Sequence, residues 1–152
     1  MSDPVLLTTA ELKELRGPER VAQLLEGVPA AEQRERLDAA VAKAGREVYG
    51  YLRARYGDQT PRTPEATPKD VKDNVAIAAL FHLVADNNDR VSEDLTLAYE
   101  RVRTWCCDVA IFRASIDFTS TTPDAEPTRH PHIAVYSPER RFGNGQLKGM
   151  LP

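Results

Sequence analysis

Apolar positions recur along this chain in three helical stretches, and then the recurrence stops. Between Ala30 and Gly57, Leu37, Val41, Ala44, Val48, Leu52 and Arg55 return at spacings of three and four, the period of one helix face. Tyr51 and Tyr56 flank that stripe. The stretch predicts a rod of about 40 Å at roughly 1.5 Å per residue. Gly45 and Gly50 sit inside it and are expected to let a neighbouring helix come close. From Lys69 to Asp86 the chain is apolar nearly all round, most of all between Val75 and Ala85. Such a helix is buried on most sides, so it is expected at the centre. The third stretch carries Leu95, Ala98, Val102, Trp105, Val109, Phe112 and Ile116. Ser92 is placed to cap it, with Glu93 and Asp94 in the first turn where the dipole favours anions. Its periodicity predicts a helix running on to Ile116.

Two shorter segments come first. Thr8 and Glu11 have the spacing of a capping box, and Gly17 can end the helix they open. Pro18 suits the first turn of a second short helix, stopped at Gly27. Neither is long enough to stand alone, so both must dock on a larger body. "GDQTPRTPEATP" reads as a loop, because each proline restricts the residue before it. The expected fold is all-α: an antiparallel bundle of two short and three long helices, with short connections.

Beyond Ile116 the pattern ends. Asp117–Pro138 is rich in proline and threonine. "HIAVY" could form a short strand only against a partner edge. The chain closes on "SPERRFGNGQLKGMLP". There Arg140, Arg141 and Phe142 are followed by Leu147, Met150 and Leu151, spaced by Gly143, Gly145 and Gly149. Isolated apolar side chains on a glycine-rich strip are anchors for another surface, not a core. Residues 1–116 are therefore read as the helical domain, and 117–152 as an extended arm that clasps a partner. An arm of this kind orders on binding and can wrap a large surface.

Composition narrows the chemistry. The 152 residues carry a formal charge of −3, which implies no large basic face for nucleic acid. Cys106 and Cys107 are adjacent, point about 100° apart on a helix, and make no disulfide framework. One is expected in the core and the other at its edge. The start has no basic segment followed by an apolar run, and no stretch has membrane-spanning length. A soluble protein of a reducing compartment is expected. His82 reads as a satisfied core histidine, His130 and His132 as too poor in nearby ligands for a metal, and "GNGQLKG" as no phosphate loop. No catalytic residue, cofactor or metal is expected. The charged run Glu32, Arg34, Glu35, Arg36, Asp38 reads as a solvated face with ion pairs.

With body and tail both read, the chain resembles the Mu gp36-like phage proteins and, more broadly, the head–tail connectors of tailed phages. "LTTAELKEL" is similar to the family's opening helix. Ala40, Ala44, Tyr51, Leu52, Arg55 and Tyr56 match its "A…A…YL..RY" pattern, and Tyr99 and Trp105 its "Y.....W" pair. Arg140, Phe142, Leu147 and Gly149 match an "R.F....L.G" tail. Asn144 departs from a basic residue often found two positions after that phenylalanine, and residues 117–135 match nothing in the pattern. The resemblance implies a structural virion protein of the neck. It would be a homo-oligomeric ring, usually of twelve copies, beneath the portal protein, assembled in the host cytoplasm. The ring would extend the DNA channel without sequence-specific contact and dock the tail or the next neck protein. Its clasp would be Arg140, Arg141, Phe142, Leu147, Gly149, Met150 and Leu151. A helical DNA-binding regulator or a non-virion assembly factor is the alternative, and a small hydrolase using His82 or a cysteine a third reading.

Overall fold

The computed structural model describes residues 3–87 and 90–118. Five α-helices follow in order: α1 (Thr9–Arg16), α2 (Pro18–Leu24), α3 (Ala30–Tyr56), α4 (Lys69–Asp86) and α5 (Glu93–Ala110). No strand occurs among the described residues. The seven clasp residues between Arg140 and Leu151, and the boundary drawn for the arm, lie outside the described residues.

The three long helices pack pairwise on one another. Their side-chain register gives the directions. Arg36 and Lys43 of α3 meet Asn87 and Asp86 at the far end of α4, while Glu47 meets His82. Rising numbers on α3 therefore face falling numbers on α4, which makes the two antiparallel. Glu47 meets Tyr99 and Arg55 meets Val109, so α5 runs parallel to α3. Up-down-up topology follows from the two short connections. The core lies between these three helices: Leu37, Ala44, Val48 and Leu52 of α3, Val71, Val75 and Leu83 of α4, and Val102, Cys106 and Val109 of α5 are all buried. As its composition implies, α4 is central, with Ala76, Ala78 and Ala79 wholly inside.

The short helices dock as their length requires. Leu12 and Val21 are buried, and Arg16 Nη2 donates to the Asp73 carbonyl of α4 at 2.9 Å. The capping box forms: the Glu11 amide donates to Thr8 Oγ1, and the Thr8 amide donates to Glu11 Oε2. Ahead of it, Leu6 and Leu7 are 1% exposed, and the Val5 amide donates to the Arg62 carbonyl at 3.0 Å. The core thus begins before the first helix.

Glu11 also accepts from Lys72 Nζ at 2.6 Å, a half-buried bridge from α1 to α4. Burial raises the carboxyl's pKa, but the bonds from Lys72 and Thr8 outweigh it, and the pKa ends below the ordinary 4.5. A carboxylate with a lowered folded value stabilises fully above its unfolded pKa, and that contribution fades as pH falls through the lowered value. Glu11→Gln should therefore destabilise at pH 7, by about 1 kcal/mol. In urea unfolding the difference from the parent should shrink as pH falls below 4.5.

Two local expectations are corrected. A Cβ on Gly45 would meet only the Pro4 carbonyl oxygen, at 4.0 Å, and one on Gly50 would meet open space. Neither glycine admits a neighbouring helix; Gly45 lies against the extended entry segment instead. Second, α5 ends at Ala110, not Ile116. Phe112 has φ +67°. Its amide donates to the Val109 carbonyl, and the Arg113 amide donates to the Asp108 carbonyl. These are the two bonds of a Schellman stop, built on a phenylalanine where glycine is usual. Phe112 leaves the core face and is 72% exposed.

Candidate functional site

Two clusters of side chains join the long helices. The first joins the end of α3 to the end of α5 and the segment after it. Arg55, in the last turn of α3, sends its guanidinium to the carbonyls of Val109, at 3.3 Å, and Ala114. These carbonyls belong to the end of α5 and the segment after it. The same guanidinium lies 4.9 Å from the ring centres of both Tyr56 and Phe112, within cation–π range. Next to it, the Ile116 amide donates to Tyr56 Oη at 2.8 Å. The Tyr56 ring meets Phe118 edge to face, with centroids 4.7 Å apart. Consecutive residues at the end of one helix thus grip residues 109–118.

This root gives Arg55 and Tyr56 a physical role. The helical period placed Arg55 on the core stripe. In the structure it marks the point where that stripe leaves the core and turns to backbone carbonyls. A guanidinium suits the task because its planar fork can serve two acceptors while lying on aromatic faces. The left-handed Phe112 is a second signal. A non-glycine residue there costs about 1–2 kcal/mol, and such strain gathers where a side chain is presented for use.

The second cluster is central. Glu47 of α3 accepts from His82 Nε2 of α4 at 2.8 Å and from Tyr99 Oη of α5 at 2.7 Å. Phe81 stacks on Tyr99 with centroids 4.0 Å apart, and His82 meets Tyr99 edge on. His82 is the satisfied core histidine expected from its surroundings. Its partner was not legible, because no local pattern in the sequence singles out Glu47. Burial and the bond to Glu47 push the Tyr99 hydroxyl up to about 12 from 10.0. With a raised folded pKa, this stabilisation is complete below pH 10 and is lost as pH rises toward 12. Alkaline titration of phenolate absorbance should show a step near pH 12 that is missing in Tyr99→Phe. A protein in which every tyrosine titrates near 10 would contradict the network.

Cys106 is buried and Cys107 exposed, the split expected of adjacent helical positions. Burial, then the nearby Glu47 charge, push the Cys106 thiol up to about 12. It is held as a thiol at neutral pH, unlike an activated nucleophile. Among the described residues no group of three or more His, Cys, Asp or Glu could hold a metal ion. No described helix is long and apolar enough to cross a membrane.

The bundle is thus a three-helix body pinned by the polar knot at Glu47 and the grip of Arg55 and Tyr56 on residues 109–118. The sequence matches the family model of Bacteriophage Mu, Gp36 over residues 7–135, and the chain belongs to that family. The matched span takes in the knot and the root and stops short of the Arg140–Leu151 anchors. Comparison with curated proteins and with solved structures found no match.

Proposed function

We propose that this protein is a head–tail connector of a tailed phage. It forms a ring, of twelve copies, beneath the portal in the virion neck, extends the DNA channel, and docks the tail or the next neck protein. The root carries this reading. Arg55 and Tyr56 hold residues 109–118 to a rigid body, just ahead in sequence of a segment with spaced anchors, and a firm attachment is the mechanical need of a clasping subunit. Membership of a phage family agrees with it. A net charge of −3 also suits a channel wall, since like charge keeps DNA sliding and not sticking.

The role of the subunit is positional. The Glu47 knot holds α3, α4 and α5 in register, the grip sets the exit, and Arg140, Phe142, Leu147 and Met150 supply contact. Quantitative mass spectrometry of purified particles tests the proposal. A fixed copy number close to that of the portal protein is the expected result. Absence from particles would remove the connector reading. Salt-dependent DNA binding by the free protein would then favour the regulator.

A further inference from the structure

Two demands conflict at the end of α5. By period, the helix continues. Trp105, Val109, Phe112 and Ile116 are spaced by four, three and four, and no glycine or proline stands between Ile111 and Phe118. These side chains would share one flank of a continued helix. In the structure α5 stops at Ala110 instead. The stop places a non-glycine residue, Phe112, at φ +67°, a conformation that carries strain. It also leaves Ile111 56% and Phe112 72% exposed. The side chains that hold the stop belong to α3, more than fifty residues away.

The conflict centres on one carbonyl. The Val109 oxygen accepts from the Phe112 amide at 3.2 Å and from Arg55 Nη1 at 3.3 Å. A carbonyl oxygen has two lone pairs, so both are taken. A continued α-helix needs that same oxygen for the Arg113 amide, four residues on. The Arg113 amide is instead diverted, with that of Ala114, to the Asp108 carbonyl, at 2.8 and 3.1 Å. The Ile116 amide, which a helix would send to the Phe112 carbonyl, goes to Tyr56 Oη. The amides of Phe112, Arg113, Ala114 and Ile116 thus have partners in either arrangement, and neither strands a backbone donor. What separates the two is the grip of Arg55 and Tyr56 on one side and the release of strain at Phe112 on the other. Strain held in place by distant contacts is a mark of a bistable element.

We propose that residues 111–116 are a conformational switch between this gripped stop and a second state in which α5 runs on to Ile116. The switch does not depend on the connector reading. In the second state the Arg113 amide takes the Val109 carbonyl, and Phe112 returns to helical backbone. Ile116 moves off Tyr56 and stands about 9 Å beyond Ala110 along the axis, at roughly 1.5 Å per residue. A partner that draws Arg55 off the Val109 carbonyl, or that binds the flank on which Phe112 and Ile116 then align, shifts the balance by its preference for the longer helix. Contact at the end of α3 is thereby coupled to the length of α5.

Backbone ¹³Cα shifts of the full-length protein, labelled with ¹³C and ¹⁵N, test this. In the parent, residues 113–116 should be non-helical. Arg55→Ala frees the Val109 carbonyl, and the ratio of long to stopped helix should rise about 30-fold, as the loss of two charged hydrogen bonds allows. Helical shifts should then appear from Arg113 to Ile116 while those of α4 stay unchanged. The Ile116 amide still exchanges faster than it does behind Tyr56, because a last helical turn frays. Adding Phe112→Gly to Arg55→Ala should abolish the helical shifts, since glycine takes the left-handed stop without strain and is a poor helix former. Arg55→Lys, with one donor left, should give an intermediate helical fraction, and it carries the test if Arg55→Ala does not fold. Coil shifts at 113–116 in the folded variant would show plain fraying and overturn the switch. So would helical shifts that Phe112→Gly leaves unchanged, since strain at Phe112 would then play no part.

Discussion

Glu47→Ala should destabilise the bundle by about 3 kcal/mol and lower its Tm by roughly 6–12 °C. The reason is asymmetry. A satisfied hydrogen bond contributes little net free energy, while a buried donor left without a partner costs about 1–3 kcal/mol. Removing this one carboxylate strands two donors. His82 is 8% exposed, and Tyr99 is pinned between the Phe81 ring, 4.0 Å away, and α3. Neither side chain can turn to water without breaking its packing. Against a total stability of about 5–15 kcal/mol, the loss is large for one half-buried side chain. Glu47→Gln keeps an acceptor for the tyrosine and should lose only about 1 kcal/mol. Tyr99→Phe, which removes one donor and leaves Glu47 its bond from His82, should fall in the same range. Thermal unfolding of the three variants checks the order. If Glu47→Ala is no worse than Glu47→Gln, the knot is not what holds the three helices in register.

That knot shows where sequence reading ends. The helices were legible because each carries its own local signal. The capping box at Thr8 and Glu11, Pro18 at a first turn, and Ser92 ahead of two acids announce starts; the apolar girth of α4 announces its central place. Cys106 and Cys107 were separable by the helical period alone. The misses are contacts that no period encodes. Glu47 lies 35 residues from His82 and 52 from Tyr99, so its neighbours as a string are Arg46 and Val48 and its neighbours in space are aromatic. Leu6 and Leu7 are too few to show a period, yet they close one side of the core. The end of α5 was misplaced for a related reason. Phe112 and Ile116 continue the spacing of three and four, and no glycine signals a stop. The chain turns there because Phe112 adopts the left-handed conformation that glycine usually supplies. The resemblance to the Mu gp36-like proteins did find the root, since "YL..RY" contains Arg55 and Tyr56. It gave them no task. Their task depends on backbone carbonyls and an amide more than fifty residues away.

Arg55→Ala should loosen the exit of the chain while leaving the body folded. Two hydrogen bonds from a charged donor contribute about 1.5–3 kcal/mol each at most, and each ring contact about 0.5–1 kcal/mol. Part of that is offset by solvation, because the site is half open to water. About 2–3 kcal/mol of docking energy for residues 111–118 is the expected loss. Phe112 holds a strained conformation of about 1–2 kcal/mol, so this segment has little margin once the guanidinium is gone. The opening should be local. Hydrogen exchange at the Ile116 amide, protected by Tyr56 Oη, should quicken by about 30-fold or more, while amides of α4 stay protected to the level of global unfolding. Arg55→Lys should not restore the parent rate, since a single ammonium cannot serve two carbonyls and lie flat on two rings. Tyr56→Phe removes only the hydroxyl and should accelerate Ile116 without freeing Ala114. If the connector reading holds, Arg55→Ala should also lower the assembled fraction, because an arm with a loose root must be ordered over a longer length on binding. Unchanged exchange at Ile116 in Arg55→Ala would show that another contact holds the exit, and the grip would lose its place in the mechanism.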